Sequence, residues 1–246
     1  MEEIKDNPLE VEANSIRDSI KRNGALVYKN VIKLDVINDF MEDFVSFSET
    51  LKDAPSKSRE REPISGYRKF NIGSFGEFGE FPRFFRTTYL PFWLPSLEFS
   101  EQIFKPILRL RNHLAGLPDD YVNGIDQRRG LWSACRVQQY FVGGGFFSEH
   151  KDIVIKKISQ DIEIETIQLV LLLSSKGIDF DEGGAFIRTE VGGLIDLESA
   201  AKSGDIIAYD GSSSHGVAPI DPHKTLKIDL SSGRFAALAS VYKILK

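Results

Sequence analysis

From residue 131 to its end the chain is cut into short apolar runs by glycine, aspartate and serine, and this limits the folds open to it. "LWSACRVQQYFV", "ETIQLVLLLSS", "GAFIRT", "GDIIAYDG" and "RFAALASVYKI" are each of strand length, rich in apolar residues and bounded by turn formers. Such a succession argues for an all-β sandwich or barrel rather than alternating β-α units.

The first half reads mostly helical. In "KLDVINDFMEDFVSFSETL" the residues Val36, Ile37, Phe40, Met41, Phe44 and Val45 recur at helical spacing, with Asp35 placed to cap the helix. A second helix is expected over "EFSEQIFKPILRLRNHLAG", with Pro106 kinking it or delaying its start, and Gly116 and Pro118 ending it. His113, late in that helix, reads as a structural histidine. Between the two helices, residues 70–93 hold nine aromatics in 24 positions. The glycines in "GSFGEFGEF" argue against a regular helix there, and the segment is expected to be an aromatic loop, over a ligand pocket or packed on the core.

At 246 residues the chain is long enough to bury a sizeable core. Its formal charge of −5 leaves no basic stripe for nucleic acid, and "KSRERE" and "DQRRG" mix basic and acidic residues as solvated loops do. The single cysteine, Cys135, rules out an internal disulfide framework and suits a reducing compartment. The acidic start "MEEIKDNPLEVEA" has no apolar signal core, and no run is long enough to span a bilayer. A soluble cytoplasmic protein without membrane or nucleic-acid partners is expected.

The chemistry centres on "GGGFFSEHKDIV". His150 and Asp152 stand two residues apart at the close of a strand, so imidazole and carboxylate can point the same way. His215 follows the strand "DIIAYD" and a polar turn, and antiparallel strands can bring it to the first pair. Two imidazoles and one carboxylate on one face of a metal, with the opposite face open, is the arrangement of non-haem Fe(II) oxygenases. Zinc accepts the same ligands, and the bland reading leaves both histidines as hydrogen-bonded turn residues. On the last strand Arg234 shares a face with Ala236, Leu238, Ser240 and Tyr242. An arginine there needs an anionic partner, which a dicarboxylic cosubstrate would supply through a bidentate pair.

Taken in order, "RVQQYFVGGGFFSEHKD", "GGAFIRT", "KSGDIIAYDGSSSHGVAPI" and "GRFAALASVY" resemble the Fe(II)/2-oxoglutarate-dependent dioxygenase superfamily, in the prolyl-hydroxylase-like and phytanoyl-hydroxylase-like arrangement. The resemblance covers residues 131–246. It implies a mainly β fold, a double-stranded β-helix of jelly-roll or cupin-like form, preceded and buttressed by an N-terminal helical segment. Residues 1–246 would form one oxygenase domain, with 1–130 helical and irregular and 131–246 carrying the metal site. It further implies His150, Asp152 and His215 as ligands of Fe(II). Arg234 would hold the distal carboxylate of 2-oxoglutarate, with Tyr140 bonding to the same cosubstrate. Dioxygen would be the oxidant, succinate and carbon dioxide the coproducts, and ascorbate an in vitro reductant.

Two departures stand out. "DPHKTLKIDLSSG", which includes the loop residue His223, lengthens the gap between His215 and Arg234, so Lys227, Arg136 and Arg188 rival Arg234 for the carboxylate. Many relatives have serine two residues after the arginine, where this chain has Ala236. Halogenating members have glycine or alanine at the place of Asp152, so the aspartate points to hydroxylation or a related desaturation or ring closure. For the substrate, Arg83, Arg86, Arg128 and Arg129 are candidate anion anchors, and Phe75, Phe78, Phe81, Phe85 and Trp93 candidate apolar lining. A small metabolite, an amino acid or natural-product intermediate, is expected. A peptidyl hydroxylase is the alternative within the superfamily, and a non-catalytic cupin-like metal or ligand sensor the alternative outside it.

Overall fold

The computed structural model describes residues 1–4, 9–55, 68–73, 81–152, 167–189 and 193–244. Among them are three α-helices: α1 (Ala13–Asn23), α2 (Leu34–Glu49) and α3 (Glu101–Leu114), the last continuing a 3-10 turn over Pro95–Ser100. The strands before residue 130 are β1 (Glu2–Ile4), β2 (Ala25–Tyr28), β3 (Ala54–Pro55), β4 (Arg68–Gly73), β5 (Arg83–Tyr89) and β6 (Ile125–Asp126). Those after it are β7 (Leu131–Tyr140), β8 (Gly145–His150), β9 (Ile167–Leu172), β10 (Gly184–Arg188), β11 (Leu194–Asp196), β12 (Ile206–Asp210), β13 (His215–Ile220) and β14 (Arg234–Lys243).

The main path of the sheet runs β1-β2-β12-β9-β14-β7-β5-β8-β13-β10-β11. Strand β5 makes the turn from one wall to the other. Its Arg86–Tyr89 stretch pairs with β7, while Arg83 and Phe84 pair with β8. One wall is therefore β12-β9-β14-β7 and the facing wall is β8-β13-β10-β11, which gives a double-stranded β-helix.

The first half carries more helix than strand among the described residues, and the correction falls on the aromatic segment, expected as a loop. Strands β4 and β5, with β4 starting just before the segment at Arg68, occupy the two flanks of the aromatic stretch 70–93 and pair in register from Arg68↔Thr88 to Gly73↔Arg83. Strand β2 completes the opposite edge against β12. The alternation that makes β5 a strand, with aromatic and basic side chains on both faces, differs from the apolar-polar pattern that marks a half-buried strand. Residues 74–80, with Phe75 and Phe78, lie outside the described residues.

Two cores flank the first wall. Toward the helices, Leu26, Tyr28, Cys135, Val137, Leu169, Leu171, Phe235 and Ala237 pack with Ile16, Phe40, Phe44, Phe104 and Leu108. On the inner face, Val27, Tyr140, Val170, Leu172, Ile207, Ala236 and Leu238 form a second cluster. Burial on both faces explains why β9 and β12 read as continuous apolar runs. Cys135 is enclosed, and burial pushes its thiol up to about 12, so it packs rather than reacts.

Helix α2 is not capped by Asp35. Its N-cap is Lys33, and Asp35 sits in the first turn, where its carboxylate accepts the Val36 amide at 2.9 Å. Helix α3 runs through Pro106 and ends in a Schellman turn, with the Leu117 amide on the Asn112 carbonyl at 2.9 Å and Gly116 at φ 64°. His113 bonds the Val11 carbonyl at 2.8 Å, a structural role. No helix among the described residues is long and apolar enough to cross a membrane.

The "GD" before β12 has a specific structural task. Gly204 has φ 90°, and a Cβ there would lie 2.3 Å from the Ile32 carbonyl oxygen. Asp205, fully buried, pairs with Lys29 at 2.6 Å and accepts the Asn30 amide at 2.8 Å. Together they tie the start of β12 to the end of β2. Gly204→Ala is expected to destabilise the protein by more than about 1 kcal/mol, seen as a lower denaturant midpoint at unchanged slope.

Candidate metal centre

Residues 143–145 turn β7 back as β8. A Cβ on Gly145 would lie 2.1 Å from the Phe141 amide nitrogen, so no larger residue permits this tight return. Strand β8 then delivers His150 directly opposite His215, the first residue of β13. The two rings stand 4.4 Å apart between centroids. Asp152 follows β8 and is held by its own amide, which donates to the Gly211 carbonyl at 2.8 Å.

Both imidazoles are oriented in the same way. His150 Nδ1 lies 2.8 Å from the Ser148 carbonyl and His215 Nδ1 lies 2.9 Å from the Ser213 carbonyl. A carbonyl oxygen only accepts, so each Nδ1 carries the proton and each Nε2 keeps a lone pair. Those Nε2 atoms face Asp152, at 3.7 Å from Oδ1 for His150 and 3.5 Å from Oδ2 for His215. These separations are too long for hydrogen bonds, yet the three ligand atoms lie within 4.8 Å of one another. Burial, and then the neighbouring His215, push the His150 ring down to about 4, so it is neutral at ordinary pH. Burial raises the Asp152 carboxyl, opposed by His215 and Arg136. Two imidazole nitrogens and one carboxylate, each anchored from behind, fit a non-haem divalent iron, or zinc.

The triad opens on a cavity between the two walls. At its far end sits Arg234, 2 % exposed and paired in register with Tyr140. Its Nε donates to Glu198 Oε1 at 2.6 Å, and the same oxygen accepts the Ala185 amide at 2.7 Å. The guanidinium lies 5.1 Å from the Tyr140 ring, and its two Nη groups have no protein hydrogen-bond partner among the described residues. The Tyr140 hydroxyl donates to Gln138 at 3.0 Å, and burial pushes it up to about 12 against the pull of Arg234 and Arg136.

Glu198 is the residue that sequence reasoning missed. The partner that Arg234 needs is supplied in part by the protein, which places a carboxylate at Nε and leaves the outer edge of the fork without a protein partner among the described residues. Nothing in "DLESA" distinguishes this glutamate from a surface residue. Only the turn that follows β11 brings it under Gly184 and Arg234.

Of the rivals, Lys227 is exposed on the loop before β14. Arg188 is held by Glu149 at 2.6 and 2.7 Å, and Arg136 lines the cavity. Among the substrate candidates, Arg83 stands over the Phe147 ring at 5.3 Å, and Phe81 lies 5.4 Å from His150. Phe85 stacks on Tyr140 at 4.9 Å and belongs to the inner core. Arg86 is not a free anchor, because Asp53 takes it at 2.9 Å through both Nε and Nη2 while Nη1 reaches Gln139 and the Asp229 carbonyl. Trp93 lies away from the metal centre, in a separate depression with Phe92, Glu98 and Glu101. Arg129 pairs with Asp126, and Arg128 is exposed; neither lines the cavity.

Because Arg234 and Glu198 are both enclosed, removing one partner strands the other. Glu198→Ala is expected to cost about 3–5 kcal/mol in unfolding free energy, and Glu198→Gln clearly less, both read from chemical denaturation.

No protein-family model matches the chain, and no curated protein matches it in sequence. Solved structures match over nearly its whole length. A prolyl-4-hydroxylase from Pseudomonas putida is 14% identical, with 94% of this chain and 98% of that one covered and a TM-score of 0.54. A prolyl hydroxylase from Trichoplax adhaerens, in complex with a hypoxia inducible factor oxygen degradation domain peptide fragment, is 12% identical over 94% and 89% with a TM-score of 0.60. The non-heme alpha ketoglutarate dependent epimerase SnoN from nogalamycin biosynthesis is 9% identical over 94% and 81% with a TM-score of 0.55. The chain has the fold of the 2-oxoglutarate/Fe(II) oxygenases.

Proposed function

We propose that this protein is a non-haem Fe(II)/2-oxoglutarate-dependent oxygenase that hydroxylates an unactivated C–H bond of a small metabolite. The observation that carries the proposal is the pairing of two poles in one cavity. Two free imidazole Nε2 atoms and a carboxylate converge at one end, and a guanidinium edge without a partner faces the other.

In this reading His150, Asp152 and His215 hold the iron on one face. Arg234 donates from its two Nη groups to the distal carboxylate of 2-oxoglutarate, with Glu198 fixing the guanidinium plane from behind. Tyr140 offers its hydroxyl to the same cosubstrate. Ala236 leaves the space where relatives place a serine hydroxyl, so Arg234 carries more of that contact. Bound iron would supply the activation of dioxygen, coupled to conversion of 2-oxoglutarate to succinate and carbon dioxide. The chain itself positions and shields. Val170, Leu172, Ile207 and Leu238 make an apolar wall that limits water around the reacting groups. An intact Asp152 favours hydroxylation over halogenation.

A cavity lined by both poles and by apolar residues of the two walls supports a small-molecule substrate. The alternative, a peptidyl hydroxylase, draws support from the two prolyl hydroxylases among the structural neighbours. A non-catalytic sensor is disfavoured by the completeness of both poles. The single enclosed thiol fits a cytoplasmic setting.

Succinate formation from 2-oxoglutarate under air, with Fe(II) and ascorbate, tests the assignment. Wild type is expected to show slow uncoupled turnover. Asp152→Gly should lower it at least tenfold, and Arg234→Gln should raise the 2-oxoglutarate KM at least tenfold. No succinate from folded, iron-loaded wild type contradicts the proposal and favours the sensor.

A further inference from the structure

The cavity holds a second guanidinium, and its environment differs from that of five other arginines. Arg68 and Arg86 share Asp53, Arg188 has Glu149 and Arg234 has Glu198. Arg111 lacks a carboxylate but places Nε, Nη1 and Nη2 on Asn112, Ser133 and the Tyr121 carbonyl. Arg136 uses Nη1 alone, at 3.1 Å from the Ala134 carbonyl and 3.2 Å from Ser240 Oγ. Its Nε and Nη2 have no partner among the described residues, no carboxylate pairs with it there, and neither nitrogen is sealed from the open space that Arg136 lines. The Tyr242 ring, 5.8 Å from its guanidinium carbon, flanks it.

Strand register places this group. Tyr209, in ring contact with His215 at 4.9 Å, pairs with Gln168. Two residues along β9, Val170 pairs with Leu238, and Leu238 pairs with Arg136. Arg136 thus stands one inward-facing row from the level of the metal ligands. The Arg234–Tyr140 pair is four residues further along β7, roughly 13 Å at strand rise. The two open guanidinium edges therefore mark two separate anion positions, one at the far end and one beside the metal.

We propose that Arg136 is the anchor for the carboxylate of the primary substrate, which makes that substrate a small organic acid. The proposal rests on the oxygenase reading, in which Arg234 is occupied by 2-oxoglutarate and Asp152 by the metal. With both so engaged, Arg136 is left as a half-buried cation with two donors that no protein group takes among the described residues, and an incoming anion would satisfy both. Its planar fork, held by Ala134 and Ser240 on one nitrogen, presents Nε and Nη2 as a parallel pair of donors, the geometry that the two oxygens of a carboxylate match and a neutral amide, with one acceptor oxygen, does not. An acid bound there would project its carbon chain along Val170 and Leu238 past the metal face.

The test uses full-length protein loaded with Zn(II), which cannot turn over, and saturating 2-oxoglutarate. Pooled free L-amino acids and short-chain 2-hydroxy acids, and matched pools of their carboxamides, are screened by ligand-observed saturation-transfer NMR. Affinities of the responders are then measured on wild type, Arg136→Gln and Arg136→Lys. Acids are expected to bind wild type and their amides not. Arg136→Gln should weaken the acids at least tenfold, with Arg136→Lys between, while 2-oxoglutarate affinity stays within about threefold. Amides binding as well as acids, no responder in the acid pools, or acid binding indifferent to Arg136→Gln each overturns the inference. So does a loss of 2-oxoglutarate affinity in Arg136→Gln equal to that in Arg234→Gln, which would make Arg136 a cosubstrate residue. Failure of wild type to bind 2-oxoglutarate at all is a different result, and it removes the oxygenase reading on which the inference stands.

Discussion

Ten consecutive antiparallel pairs join β14 to β7, from Arg234↔Tyr140 to Lys243↔Leu131, and the rest of the molecule is arranged around that register. Side chains alternate faces along a strand, so a slip of one residue would turn Arg234, Ala236 and Leu238 toward the helices and Phe235 and Ala237 into the cavity. Neither exchange is tolerable. The helix-side core would receive an unpaired charge, and the cavity would be filled by a phenyl ring. The ladder thus fixes the apolar wall, both guanidinium positions and the depth of Tyr140 in one step. Helices α1, α2 and α3 keep it in place by covering its outer face.

The metal ligands are set by a different and more local device. Each histidine is preceded two residues earlier by a serine whose carbonyl accepts its Nδ1 proton. This fixes the tautomer and aims the Nε2 lone pair, so strand pairing needs only to put the two residues opposite each other. Burial then keeps His150 neutral and raises Asp152, and a divalent cation would relieve both costs together. At the opposite pole the balance is internal, since Glu198 offsets the charge of Arg234 before any ligand is present. A buried pair of this kind contributes modestly to stability but fixes the orientation of the guanidinium.

Legibility in the sequence followed the range of the interactions. The strands after residue 131 and the His150, Asp152, His215 set were readable because short apolar runs, the turn formers between them and the spacing of the two ligands on one strand are local properties. Helices α2 and α3 were readable for the same reason, although Asp35 could not be separated from a cap without knowing the turn of the chain before it. Strands β4 and β5 were not, because their aromatics and arginines follow no simple alternation and β5 finds its further partners on β7 and β8. Arg86 read as a free anchor only because Asp53, Gln139 and Asp229 are remote in sequence. Glu198 carried no signal, since its partner Arg234 is 36 residues away and its burial depends on the closure of both walls.

The central claim is that one cavity holds iron and 2-oxoglutarate together, and the most direct measurement of it is anaerobic. Fe(II) and 2-oxoglutarate are added to metal-free protein, and the visible metal-to-ligand charge-transfer absorption of a chelated 2-oxo acid is recorded, with His215→Ala and Arg234→Ala beside wild type. The account predicts an absorption band in wild type, its loss in His215→Ala, and a much higher 2-oxoglutarate requirement in Arg234→Ala. Folded wild-type protein that binds the metal and develops no band would contradict it.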